Sequence, residues 1–114
     1  MQEPLDRSAI DGLVNDLGDR DTVRAVAEVY LSQLRTRLGE LRASATGDPD
    51  TCRRVAHTLK SASAVLGLGG VARVCRNLED AVDADPAAVP ALLRELEAVA
   101  GDGESHLRDW LSGG

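Results

Sequence analysis

One histidine in this chain occupies a position where its ring can react with another molecule. It belongs to the segment Ala56-His57-Thr58-Leu59-Lys60-Ser61, which lies inside a predicted helix. On a helical wheel of about 3.6 residues per turn, the apolar side of that helix lies opposite His57. The residues on the apolar side are Cys52, Val55, Ala56, Leu59, Ala62, Ser63 and Leu66. The pattern therefore predicts a solvent-facing imidazole, which is a good nitrogen nucleophile when it is neutral.

The residues around His57 add positive charge to its side of the helix. Lys60 follows one turn later on the same side, where its ammonium group can neutralise phosphoryl oxygens. Arg53 and Arg54 extend this positive rim. A nucleophilic ring surrounded by cations is typical of a site that accepts a phosphoryl group.

Small side chains next to His57 favour the close approach of a partner protein. Ser61 and Ala64 share the side of His57, and neither rises far above the helix surface. Ala64 and Val65 offer the partner some apolar contact. Together with the two arginines, these three residues form the predicted partner-binding surface.

Glu79 is the candidate for orienting the imidazole ring. A carboxylate that accepts a hydrogen bond from one ring nitrogen fixes the tautomer and leaves the other nitrogen free. His57 lies about 11 residues before Leu68, and Glu79 lies about 11 residues after it. If the two helices form an antiparallel hairpin that turns near Leu68, these residues stand at one level.

Each of these residues also has an ordinary interpretation. An exposed histidine is most often a solvated surface residue, and lysine, arginine and glutamate commonly solvate helix faces. The convergence of a ring, a carboxylate and several cations at one place favours the functional interpretation over the ordinary one.

Other polar features of the sequence are weaker candidates for chemistry. The segment Gly67-Leu68-Gly69-Gly70 follows a helix and lacks the preceding strand and the lysine of a phosphate-binding loop, so we interpret it as a turn. His106 has no lysine at the corresponding spacing and is interpreted as structural or solvated. Asp83 and Asp85 are interpreted as helix-end acids and not as a magnesium cluster.

Length and charge limit the classes of function. With 114 residues, 43% of them hydrophobic, the chain can bury one core, so we expect one domain over residues 1–114. A formal net charge of −6 argues against broad attraction to nucleic acid or to an anionic membrane. Because the sequence contains neither a membrane-spanning stretch nor an export signal, we expect a cytoplasmic protein. No extra apolar stripe calls for a dimer, so we expect a monomer.

The two cysteines are predicted to be free thiols. Cys52 and Cys75 both lie at apolar positions of their helices, where a thiol behaves as a small hydrophobic group. In the hairpin they would be about 11 Å apart along the helix axis, which is too far for a disulfide. A metal site is also poorly supported, because one distant histidine would have to complete it.

Apolar residues recur with the helical period along the chain, which predicts an all-helical protein. The predicted helices span roughly residues 6–17, 21–45, 49–66, 71–82 and 86–111, with Gly47-Asp48-Pro49 as the sharpest boundary. The second of these is predicted to place one apolar face inward, formed by Val23, Val26, Ala27, Tyr30, Leu34, Leu38 and Leu41.

These helices predict an antiparallel up-down four-helix bundle, with the short N-terminal helix as a lid at one end. The segment Gly101-Asp102-Gly103 is predicted to interrupt or weaken the last helix. The reason is that each glycine inside a helix costs about 1 kcal/mol relative to alanine.

Two segments of the chain resemble a known family. The segment from His57 to Gly67, HTLKSASAVLG, looks like the signature of histidine-containing phosphotransfer (HPt) domains. The later segment Cys75-Arg76-Asn77-Leu78-Glu79 resembles a second segment of that family, at the spacing found in the phosphoacceptor domain of the chemotaxis histidine kinase. The resemblance in helix pattern covers nearly the whole chain.

The resemblance implies a role for each residue of the candidate site. His57 would be the phosphorylated residue, Lys60 the lysine that neutralises the phosphoryl group, and Glu79 the residue hydrogen-bonded to the imidazole. The chain departs from the family at Ser61, where a glycine is usual. Because serine is small and can donate a hydrogen bond, we interpret this difference as tuning of the site.

The resemblance also implies a function in a two-component phosphorelay. His57 would accept a phosphoryl group from a receiver-domain aspartate or a histidine kinase and pass it to a receiver aspartate. The chain would be a relay intermediate without kinase activity and without a cofactor of its own. The magnesium ion that phosphoryl transfer requires would be bound by the partner receiver domain.

Two alternatives stay open at the level of sequence. The bundle could act as a docking adaptor that binds a receiver or a kinase and is never phosphorylated. It could also be the phosphoacceptor segment of a larger kinase, although a start at Met1 and the short length favour a free-standing protein.

Overall fold

The computed structural model describes residues 3–113, and its regular elements are all helical. The helices are α1 (Arg7–Leu17), α2 (Arg20–Ser44), α3 (Pro49–Val65), α4 (Gly69–Ala84) and α5 (Val89–Gly113), with a short 3₁₀ turn at Pro86–Ala88 before α5. The predicted domain of residues 1–114 also includes Met1, Gln2 and Gly114, which lie outside the described residues.

Aspartate side chains define where three of the helices begin. Asp6, Asp19 and Asp48 each accept a hydrogen bond from a backbone N–H in the first turn of the helix that follows. Such caps satisfy N–H groups that have no partner within the helix. Pro49 occupies the first turn of α3, where its missing N–H costs nothing, which confirms the predicted boundary.

Helices α2 to α5 form the predicted antiparallel bundle, and each packs against two others around one core. The pair α3 and α4 makes the most extensive contact. The large side chains that are fully buried include Val23, Leu41, Leu59, Leu78, Leu96 and Leu107. The tight pairing of α3 with α4 matters most for function, because the candidate site lies across that pair.

The N-terminal helix α1 covers the end of the bundle where α3 turns into α4, as predicted for a lid. The backbone N–H of Asp6 donates to the carbonyl of Gly67 across 2.7 Å, and Leu5 and Ile10 are buried. Gly67 has a φ of 81°, and a Cβ at this position would lie 2.7 Å from the Asp6 carbonyl oxygen. A glycine is therefore required both by the backbone conformation of the turn and by the close approach of α1.

The predicted interruption of the last helix is wrong. Helix α5 continues without a break through Gly101 and Gly103. Gly103 is buried, and a Cβ there would lie 3.0 Å from a methyl group of Leu68. The glycine thus lets α5 approach the α3–α4 turn closely, and tertiary packing outweighs its weak helix propensity.

The predicted inward position of Val26 is also wrong. Its side chain is 41% exposed, whereas Val23, Ala27 and Tyr30 on the same helix are buried. The apolar side of α2 is wider than the surface that α1, α3 and α5 cover, so the residue at its edge stays in contact with solvent.

A buried polar contact fixes the position of α2 against α3. The hydroxyl groups of Tyr30 and Ser63 lie 2.8 Å apart and share a hydrogen bond. Burial raises the pKa of Tyr30 to about 12, so the phenol stays neutral and keeps its proton for this bond. Because both hydroxyls are satisfied, this polar pair specifies one register between the two helices.

The two cysteines are free and buried, which confirms that they are not linked by a disulfide. Burial raises the pKa of the Cys75 thiol to about 12, as expected for a thiol that packs as a small hydrophobic group. Within residues 3–113, no helix combines the length and apolar character needed to cross a membrane.

Gly67→Ala is expected to destabilise the protein far more than Gly18→Ala. Both glycines have positive φ, 81° and 72°, so alanine strains the backbone at either position by about 1–2 kcal/mol. At Gly18 a Cβ meets nothing within 4 Å, whereas at Gly67 it overlaps the Asp6 carbonyl. We expect the free energy of unfolding to fall by at least about 2 kcal/mol more for Gly67→Ala. Urea unfolding followed by circular dichroism measures both losses, and equal losses would contradict the docking of α1 on this turn.

Candidate functional site

The site is built from one histidine on α3 and one glutamate on α4. The side chain of His57 is 63% exposed, whereas that of Glu79 is 15% exposed and lies between the two helices. Nδ1 of His57 is 2.9 Å from Oε1 of Glu79. The structure therefore brings together the two residues that the hairpin argument placed at one level.

This contact determines which nitrogen of His57 is free. An ionised carboxylate can only accept hydrogen bonds, so Nδ1 carries the proton and donates it to Glu79. In the neutral ring, Nε2 on the other side then keeps its lone pair. The exposed edge of the imidazole is therefore an unprotonated nitrogen that can act as a nucleophile.

Lys60 contacts the same carboxylate. Its Nζ lies 2.7 Å from Oε2 of Glu79, and its side chain is 29% exposed. At this distance the ammonium group and the carboxylate form an ion pair. The sequence predicted Lys60 next to His57 but did not predict that the ammonium is held by the glutamate that orients the ring.

The environment of Glu79 keeps its carboxyl group ionised. Burial raises its pKa, but the Lys60 ammonium and the His57 ring together outweigh burial and hold the pKa below its ordinary value. The carboxylate is thus ionised at neutral pH, which is the form that can accept a hydrogen bond from Nδ1–H and pair with the ammonium.

The two arginines of the predicted rim differ in their surroundings. Arg53 is held by two carboxylates, at 2.9 Å from Asp50 and 2.6 Å from Asp83. Asp83, interpreted from the sequence as a helix-end acid, thus links α4 to α3. Arg54 is exposed and forms no ion pair within the described part of the chain. The positive charge available to a ligand at this end of the site is therefore that of Arg54.

The small residues predicted to face a partner are exposed. Ser61 and Ala64 lie at the surface of α3, and the side chain of Val65 is 54% exposed. The other exposed large apolar side chains among the described residues are Leu17 of α1, at 48%, and two valines of α2, Val26 at 41% and Val29 at 55%. We call Val26, Val29 and Val65 the apolar strip.

The members of the apolar strip lie on one face of the bundle. Tyr30 contacts Ser63, and Val29 precedes Tyr30 while Val65 follows Ser63, so in antiparallel helices both lie toward the same end. The opposite flank of α2 faces α5, because Arg24 donates to the carbonyl of Leu111 there. Val26 and Val29 therefore flank α3, with Val65 about 12 Å along α3 from His57.

Sequence reasoning missed Val26 and Val29 as surface residues. The signal was present, since an apolar side that includes Val23, Val26, Val29 and Tyr30 covers more of the helix than one neighbouring pair of helices buries. Without the structure, the choice of which edge stays exposed could not be made.

Among the described residues, neither His106 nor a metal site adds a second candidate for catalysis or binding. Nδ1 of His106 lies 2.8 Å from the carbonyl oxygen of Asp102 on its own helix, to which it donates. Across residues 3–113, no three histidine, cysteine, aspartate or glutamate side chains are grouped so that they could hold a metal ion.

The sequence model of the Hpt domain family, the histidine-containing phosphotransfer domains, matches residues 25–102 of the chain. The chain belongs to the Hpt domain family. The match spans α3 and α4 completely and includes His57, Lys60 and Glu79. Neither a curated protein nor a solved structure matches the chain. Hpt domains are phosphotransfer carriers of two-component phosphorelays, so membership gives this domain that general function.

The ionised state of Glu79 gives a pH-dependent contribution to the stability of this Hpt domain. Its pKa is lower in the folded protein than the ordinary 4.5, so the contribution is complete above that value and is lost as pH falls through the lower folded pKa. We expect the difference in free energy of unfolding between wild type and Glu79→Gln to shrink as pH falls below about 5. Denaturant titrations at each pH measure it.

Asp80→Asn is the matched control, because Asp80 is the exposed neighbour of Glu79 and forms no ion pair within residues 3–113. It removes one carboxylate from α4 without touching His57 or Lys60. A difference between wild type and Glu79→Gln that stays constant over the whole pH range would contradict the described contacts of Glu79.

Proposed function

We propose that this Hpt domain carries a phosphoryl group on Nε2 of His57, as the intermediate of a two-component phosphorelay. It takes the group from a receiver-domain aspartate or from a histidine kinase and passes it to a receiver aspartate. The observation that supports this most is the exposed ring of His57, whose inner nitrogen is bound 2.9 Å from Glu79.

The transfer step needs one bond to form and one to break. The lone pair of Nε2 attacks the phosphorus atom of an aspartyl phosphate, the N–P bond forms, and the O–P bond breaks to release the aspartate as a carboxylate. The ring keeps its proton on Nδ1 and so becomes positively charged. Glu79 stabilises that charge, as an orienting carboxylate does for the imidazolium of a hydrolytic triad. Transfer to a second receiver is the same step in reverse.

The charges around the phosphoryl group come from both partners. Lys60 lies one turn from His57, and its Nζ is 2.7 Å from Oε2 of Glu79. An ammonium group has three N–H donors, so it can stay paired with Glu79 and also donate to phosphoryl oxygens. In-line phosphoryl transfer also requires a metal ion and precise positioning. We assign the magnesium ion and its acidic pocket to the receiver domain, and we assign no kinase activity to this chain.

The surface around His57 suits docking of a receiver domain. Ser61 and Ala64 leave the ring accessible, and Arg54 offers a free positive charge to an acidic partner surface. The apolar strip on α2 and α3 provides the hydrophobic contact that stabilises most protein interfaces. We propose that the domain meets its partners through this face, as a monomer.

A docking adaptor that takes no phosphoryl group is the second candidate, because the apolar strip alone would serve it. The adaptor and the relay protein differ in whether the domain becomes phosphorylated, which can be measured. The relay protein acquires a label that is lost in acid and stable in base, as phosphohistidine is, whereas an adaptor acquires none.

His57→Gln is expected to abolish labelling of the domain by a phosphorylated receiver. Glutamine keeps a polar side chain of similar reach but has no nucleophilic ring nitrogen. The measurement is transfer of radioactive phosphate from the receiver to the domain, read after acid and base treatment.

His106→Gln is the control, since it removes the other histidine, which lies on α5 and hydrogen-bonds to Asp102. We expect this variant to be labelled like wild type. Labelling of His57→Gln at the wild-type level would refute the assignment, and an unlabelled wild-type domain that still binds the receiver would favour the adaptor.

A further inference from the structure

The side chains across the α3–α4 pair meet at regular levels. Arg53 of α3 contacts Asp83 of α4, and His57, four residues later, contacts Glu79, four residues earlier. Moving a given number of residues toward the C-terminus of α3 thus corresponds to moving the same number toward the N-terminus of α4. This is expected for antiparallel helices with the same rise per residue. This register shows which side chains share the next level.

The next level places two cations opposite each other. Lys60 lies three residues after His57, and Arg76 lies three residues before Glu79, so both are about 4.5 Å further along the helices. Arg76, Glu79 and Asp83 follow one another at spacings of three and four residues and therefore share a stripe of α4. Since the other two members of the stripe contact α3, Arg76 lies on the α3 side as well.

The positive charge of Arg76 is not compensated. Arg76 is exposed and forms no ion pair within residues 3–113. Glu79, the carboxylate next to it on the stripe, is already in contact with His57 and Lys60. Asp80 lies four residues on from Arg76, but it pairs with no cation in this part of the chain either.

The arginine one turn earlier on α4 is different. Arg73 lies 3.6 Å from Glu95 and therefore faces α5. Arg53, on the other side of His57, is held by two carboxylates. By this register, Lys60 and Arg76 share one level next to that of His57, and Arg76 has no ion-pair partner among the described residues. Two cations so placed leave an excess of positive charge that attracts an anion.

We propose that Arg76 binds the phosphoryl group on His57 as a second cation beside Lys60. The inference rests on the proposed phosphorylation of His57 and adds a residue of α4 to the phosphoryl site. A guanidinium group can donate two parallel hydrogen bonds to two phosphoryl oxygens, which an ammonium cannot do. With Arg76 on the phosphoryl group, Lys60 can stay paired with Glu79, so the orientation of the ring survives phosphorylation.

The test uses phosphoramidate, a small donor that transfers its phosphoryl group to histidine with loss of ammonia. No receiver is present, so an effect of the variant cannot come from docking. The ³¹P resonance of the phosphohistidine is followed against pH in wild type, Arg76→Gln and Arg73→Gln. A nearby cation favours the dianionic phosphoryl group and lowers the pH at the midpoint of this titration.

We expect the midpoint of Arg76→Gln to lie higher than that of wild type by roughly half a pH unit, since exposed charge pairs contribute up to about 1 kcal/mol. Arg73→Gln makes the same change of net charge on the same helix and is expected to match wild type. Arg76→Lys, which keeps the charge, is expected to lie close to wild type.

Equal midpoints for Arg76→Gln and Arg73→Gln would overturn the role of Arg76 while leaving the relay function intact. A wild-type domain that gives no phosphohistidine resonance would instead count against the proposed function itself. Circular dichroism of the three variants establishes that they are folded, as expected for substitutions at exposed positions.

Discussion

A single carboxylate organises the chemistry of this Hpt domain. Glu79 accepts a hydrogen bond from the Nδ1–H of His57 through one oxygen and pairs with Lys60 through the other, at 2.9 and 2.7 Å. Because it is only 15% exposed, water competes weakly for these contacts. The same group thus fixes the tautomer of the ring and holds a cation beside it. In the proposed phosphotransfer it also balances the positive charge that the ring gains.

The rest of the fold keeps this carboxylate at the level of the ring. The α3–α4 turn depends on Gly67, where α1 docks through the backbone of Asp6, and on Gly103, which lets α5 pack against Leu68. The Tyr30–Ser63 contact fixes α2 against α3 and so places the apolar strip beside the helix that carries His57. Stability and function are linked here, because a slip between α3 and α4 would separate His57 from Glu79.

The sequence predicted what depends on helix geometry alone. The rise per residue is constant, so the equal spacing of His57 and Glu79 from Leu68 was enough to place them at one level. The ion pairs of Lys60 and Arg53 were not predictable from the sequence. A long, flexible charged side chain can reach several nearby groups, and the sequence does not show which of them it contacts. Gly103 and Val26 were misinterpreted because their environments are set by how closely helices approach and how much surface they cover.

The tautomer of His57 tests the central claim most directly. In the ¹⁵N NMR spectrum of the domain labelled at its histidine ring nitrogens, the account predicts that neutral His57 carries its proton on Nδ1. It also predicts that phosphorylation changes the resonance of Nε2, the nitrogen that forms the bond to phosphorus. A neutral ring protonated on Nε2, or a phosphoryl group attached to Nδ1, would contradict the role assigned to Glu79.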